Sequence, residues 1–83
     1  MDFFDTLKEK INKNINTEEI TIIDNTHLHT KHKFFDSEKF HLKLIIKSKK
    51  LKNMDKIEAH KEVYTILKNE MIKKIHALEI EIQ

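Results

Sequence analysis

Six histidines and no cysteine set the chemistry open to this 83-residue chain. His27, His29 and His32 crowd the stretch Thr26-His27-Leu28-His29-Thr30-Lys31-His32. His41 opens a later strand-like run, and His76 stands just ahead of Ala77-Leu78-Glu79-Ile80-Glu81-Ile82. Imidazole is the commonest neutral metal ligand, and its ordinary titration falls near neutral pH. Metal chemistry here runs through nitrogen, because the chain has no thiolate of its own. His60 is different: it shares an apolar stripe with Ile57, Tyr64 and Leu67 and reads as a structural histidine.

The elements that must position these rings follow from periodicity. Residues 2–14 read as a helix, with Phe3, Phe4, Leu7 and Ile11 on one stripe. Asp2 and Asp5 lead and Lys8, Lys10 and Lys13 follow, the order that suits the helix dipole. Residues 18–25 read as a strand rich in β-branched side chains. The 13 residues Thr26–Glu38 carry the histidine cluster without a clean period, a long connection for a hairpin. Residues 39–48 read as the clearest strand, with Phe40, Leu42, Leu44 and Ile46 on a core face. His41, Lys43, Ile45 and Lys47 then fall on the wetter face, which makes His41 a supporting neighbour of a metal site at most. Residues 55–69 read as a second helix, capped by Asp55 with Glu58 three residues on. Its stripe is Ile57, His60, Tyr64, Leu67 and Met71. Residues 74–82 read as a last strand in which His76, Leu78, Ile80 and Ile82 share a side.

The order α-β-β-α-β over residues 1–83 describes one small α+β domain. Two antiparallel strands and a helical crossover into a third imply a three-stranded mixed sheet with both helices on one face. A right-handed crossover makes the third strand parallel to the second. Both then start at the edge where the histidine loop arrives, so His76 and the loop histidines converge there.

Composition removes several functions. Glycine and proline are both absent, so no P-loop, dinucleotide-binding turn or hydrolase elbow can form. Turns fall instead to residues such as Asn14, Asn25 and Asn53. All 16 basic residues are lysines against 14 acidic ones, a net charge of +2. That disfavours nucleic acid, whose phosphates and guanine edges are read chiefly by the arginine fork. The run Lys47-Ser48-Lys49-Lys50-Leu51-Lys52 reads as a solvated turn. No apolar run approaches the roughly 20 residues that span a bilayer, so no membrane partner is expected. The start of the chain lacks the charge order of a leader, which makes the cytosol the expected address, with the nucleus also open. No nucleophile and base can be paired, and the chain does not read as an enzyme.

Four segments resemble the BolA family. Ile22-Ile23-Asp24-Asn25-Thr26-His27-Leu28-His29 is similar to its "(I/V)-D-E-S-H-x-H" stretch. Phe40-His41-Leu42-Lys43-Leu44-Ile45-Ile46-Lys47-Ser48 is similar to "S-H-F-K-(V/L)-x-(I/V)-V-S". Glu58-Ala59-His60-Lys61 with Val63-Tyr64 resembles "E-R-H-R-x-V-Y", and Ile75-His76-Ala77-Leu78-Glu79-Ile80 resembles "(V/I)-H-A-L-x-I". The resemblance covers roughly residues 5–82, in order. It implies the same α-β-β-α-β order, in a class II KH-like layout.

The resemblance also implies a partner and a cofactor. BolA proteins pair with monothiol glutaredoxins carrying a C-G-F-S motif, and together they hold a bridging [2Fe–2S] cluster. The glutaredoxin cysteine and glutathione supply sulfur; the BolA side supplies the H-A-L histidine and one His or Cys from the loop after the first strand. By position these are His76 and His29, with His27 and His32 as substitutes for the latter. The chain departs from the family where Leu51-Lys52-Asn53 replaces "F-x-G", where Ala59 and Lys61 replace arginines, and where Phe34 and Phe35 occupy a loop usually rich in Gly and Pro. Two other readings stay open: a KH-like nucleic-acid-binding regulator, lacking the G-x-x-G clamp, and a plain Zn²⁺ or Cu²⁺ binder using the histidine cluster.

Overall fold

Asp2 starts the first helix, its carboxylate accepting the Asp5 N–H at 2.8 Å, and α1 runs Phe3–Asn14. The computed structural model describes residues 2–29 and 39–83, without the side chains of Leu28 and His29. Strand β1 is Glu19–Asp24, a single 3₁₀ turn covers Thr26–His29, and β2 is Phe40–Lys47. Three helical pieces follow, α2 (Lys49–Lys52), α3 (Lys56–Ile66) and α4 (Lys68–Lys73), before β3 (Ile75–Ile82). The sheet order is β1-β2-β3, antiparallel then parallel, as the crossover requires.

The core lies between one face of this sheet and the helices. Leu42, Leu44 and Ile46 of the central strand meet Leu78 and Ile80 of β3, and Leu7, Ile11, Leu51, Ala59, Val63 and Leu67 cover them. Burying a Leu or Ile side chain stabilises by about 1.5–3 kcal/mol, so this cluster carries most of what so small a domain gains. On the opposite, open face Lys43 lies 3.8 Å from Glu79 and 3.5 Å from Glu81. The Gln83 amide first, and then Lys43, hold the Glu81 carboxyl below its ordinary range. Its contribution to stability is therefore present above the unfolded carboxylate's titration and lost as pH falls through the folded one.

Two expectations about the second helical region are corrected. The lysines of the run are exposed as expected, but the segment is not a turn: buried Ser48 accepts the Leu51 N–H at 3.3 Å and donates to the Asn16 carbonyl at 2.9 Å, and Leu51 is buried. This begins the short helix α2. Asn53, which closes it, has φ −84°, so the position needs no glycine-like backbone. Asp55 does cap α3, accepting the Ile57 N–H at 3.2 Å. However, helix 55–69 breaks at Leu67 (φ −97°, ψ 16°), and α4 follows as a separate short helix. The buried line of α3 is Ala59-Val63, continued by Leu67, while Ile57 is 65% exposed.

His60 and Tyr64 therefore sit beside the core line, and they face the outer edge of β3. Gln83 N–H donates to the Ile46 carbonyl across the pair Ile46↔Ile82, so from Ala77 onward the odd residues of β3 bond to β2 and the even ones face outward. Those outward carbonyls are met by side chains. Tyr64 Oη donates to Leu78 O at 2.7 Å, His60 Nε2 lies 3.2 Å from Ile80 O, and Lys52 Nζ reaches Ile82 O at 3.5 Å. An exposed strand edge invites pairing with another chain, and this row of side chains blunts it. Tyr64→Phe is expected to cost about 0.5–1.5 kcal/mol, the usual worth of one such bond. Urea unfolding reads it; an unchanged midpoint would mean that water replaces the hydroxyl without loss.

Candidate functional site

Because β2 and β3 are parallel and β1 is antiparallel to β2, one end of the sheet collects the end of β1 and the starts of both other strands. The 3₁₀ turn is tied to that end. Asp24 Oδ1 accepts the Thr26 N–H at 2.9 Å, and Thr26 Oγ1 accepts the His41 N–H at 3.1 Å. Asn25 N–H donates to the His41 carbonyl at 2.8 Å. The backbone of His41 is thus held on the β1 side by turn residues and on the other by its pairing with Ala77.

The start of β3 contains an irregularity that decides where His76 goes. Phe40 pairs with Ile75, but His41 pairs with Ala77, so two residues of β3 answer one step of β2. His76 is the extra residue of a β-bulge, which bends a strand and re-aims a side chain. Strict alternation would put Ile75 and Ala77 on one face and His76 with Leu78 on the other. Instead Ile75 and Leu78 are both buried and His76 is exposed. The expectation that His76 shares a side with Leu78, Ile80 and Ile82 is overturned by this one inserted residue.

Beside it the His41 ring is buried, at 8% exposure, on what periodicity marks as the wetter face. Its centroid is 4.9 Å from that of His76, with the ring planes 34° apart. The motif His-Ala-Leu has a physical reading at this point. The His is the bulged residue, the Ala is the small neighbour opposite His41, and the Leu returns the strand to the core. On the other face Phe40 is braced by α1: Phe3 stacks on it at 5.3 Å and Phe4 meets it edge-on at 5.4 Å. The aromatic residues of α1 thus steady the strand that carries His41.

The sequence-predicted site residues fall as follows. His76 is exposed at this rim, and the backbone of His29 closes the 3₁₀ turn tied to the same end. The side chain of His29 lies outside the described residues, as do His32, Phe34 and Phe35. His27 is exposed on that turn. His60 is elsewhere, on α3 with Nδ1 2.8 Å from Lys56 O. Among the described residues no three His, Asp or Glu side chains gather closely enough to hold a metal ion alone. What the periodicity reading missed was the His41–His76 contact. The signal was present in Ile75-His76-Ala77-Leu78, where two apolar residues three apart cannot both face the core of a regular strand.

The comparisons agree with this architecture. The family model described as BolA-like protein matches residues 11–83, and the chain belongs to the BolA-like family. It is 30% identical over 76 residues to the DNA-binding transcriptional regulator BolA of Haemophilus influenzae, covering 92% of this chain and 71% of that one. Among solved structures it resembles BolA1 from Arabidopsis thaliana (TM-score 0.82, 28% identity, covering 99% of this chain and 90% of that one). It also resembles the BolA domain of SufE1 from Arabidopsis thaliana (TM-score 0.81, 25% identity, 100% and 93% covered). No helix among the described residues is long and apolar enough to cross a membrane.

Deleting His76 restores regular alternation, with Ile75 and Leu78 inward and Ala77 outward. The shortened chain is expected to keep a cooperative unfolding transition and its far-ultraviolet dichroism. Loss of cooperativity would show that the extra residue is needed to seat the strand.

Proposed function

We propose that this protein is a non-enzymatic partner in iron–sulfur cluster assembly, trafficking or iron signalling. It binds a monothiol C-G-F-S glutaredoxin and, with glutathione, shares a bridging [2Fe–2S] cluster. The observation that carries the reading is the exposed His76 on its bulge, at the rim to which the His27–His29 turn is tied. Membership of the BolA-like family supports the partnership.

The donor set suits the group. An all-nitrogen contribution leaves an iron site incomplete, so the chain depends on sulfur supplied by a second molecule. A [2Fe–2S] cluster provides one-electron chemistry, and imidazole in place of thiolate on one iron raises its potential. The residues of this chain would bind and orient: the exposed His76 would offer a ring nitrogen, and His29 would offer a second, with His27 and His32 as substitutes. Neutral imidazole gives way on protonation more easily than thiolate does, which suits delivery or sensing.

Mixing the protein with a C-G-F-S glutaredoxin, glutathione, ferrous iron and sulfide is expected to give a coloured heterodimer with a visible circular dichroism signature. The double variant H29A/H76A should lose that signature. A mixture that stays colourless, or a double variant matching the parent, refutes the proposal.

The name of the Haemophilus influenzae relative supports a second reading, direct binding to DNA. It predicts sequence-selective binding by the isolated chain that weakens steeply with salt. Equal, weak binding to all duplexes, as a lysine-rich surface gives, would remove it.

A further inference from the structure

We propose that His41 is a positioning residue for His76, acting through the face of its ring. The inference rests on the proposed role of His76 as a ligand. The two rings differ in kind: His41 is buried in the central strand, whereas His76 is exposed on a bulged residue of an edge strand.

Three observations fix the floor. The His41 N–H donates to Thr26 Oγ1 at 3.1 Å and its carbonyl accepts from Asn25 at 2.8 Å, so its backbone cannot pivot. Its neighbour across the β3 side is Ala77, whose methyl leaves the ring face open to approach. The bulge then carries the following ring onto that face, with centroids 4.9 Å apart and planes tilted by 34°. Offset or tilted packing of flat rings at this separation is favourable.

The reason such a floor matters is entropic. An exposed histidine beside a strand end samples several staggered rotamers. A ligand that must complete a site begun by another molecule gives up that freedom on binding, at a cost in affinity. A ring already resting on His41 has given it up beforehand. Neighbours that orient a metal ligand typically govern affinity by about 10–100-fold.

The test uses the full chain, first alone and then with a C-G-F-S glutaredoxin, glutathione, ferrous iron and sulfide. In the isolated chain, three-bond scalar couplings of His76 should report one dominant χ1 rotamer. H41A and H41L should give averaged couplings, and H41F should restore the parental value because it keeps a flat face. In the mixture, H41A and H41L should shorten the lifetime of the visible dichroism at least about tenfold, with H41F recovering it. A role in filling space alone would move the thermal midpoint and let Leu substitute as well as Phe. Parental couplings in H41L overturn the proposal, as does a dichroism lifetime in H41A equal to the parent's where H76A abolishes the signal. A parent chain that gives no cluster refutes the ligand role of His76, and the couplings still decide whether His41 positions its ring.

Discussion

One inserted residue in the pairing of β2 with β3 organises the rest of this molecule. A parallel pair built on a single register would turn His76 into the helix-covered face, where a polar ring is costly to bury without partners. The bulge moves it out while Ile75 and Leu78 on either side stay in the core. The cost is local loss of the ladder at the end of an edge strand. It falls where the turn after β1 and the aromatic residues of α1 can brace the neighbouring strand.

A domain of this length without glycine, proline or cysteine has few devices for closing itself, and side chains take over the task. Ser48 joins the end of β2 to both the α1–β1 connection and the first turn of α2. Lys10 reaches Glu70 at 2.9 Å, tying α1 to α4. Lys52, His60 and Tyr64 cover the carbonyls of the β3 edge. His60, which stands on a helix stripe like a core residue, is spent on this edge and not on the rim. The two kinds of histidine are thus separated by what each ring meets: backbone carbonyls in one case, another imidazole in the other.

The proposed chemistry follows the same division of labour. Nitrogen ligands from this chain and sulfur from a partner make neither molecule sufficient, which couples cluster holding to association. An exposed ring already packed on a buried one enters that association with less freedom to lose.

Much of the fold was legible in the residues because it depends on local period. The alternation of Phe40 to Lys47 and the Leu7/Ile11 stripe each name an element and its inward face, and the short crossover limits how the strands can pair. The four motif segments likewise marked His76 and the Thr26–His29 stretch. Three features required the folded chain. The break at Leu67, which no proline or glycine marks in the sequence, shows only in the folded chain, where Leu67 joins the common core. The burial of His41 depends on a ring that arrives from residue 76. The outward turn of His76 depends on a register shift, which exists only between two strands and in neither alone. Sequence determined which side chains are available for chemistry, since residue type is a local property. Tertiary structure decided where they point, since one extra residue against a partner strand reverses the face.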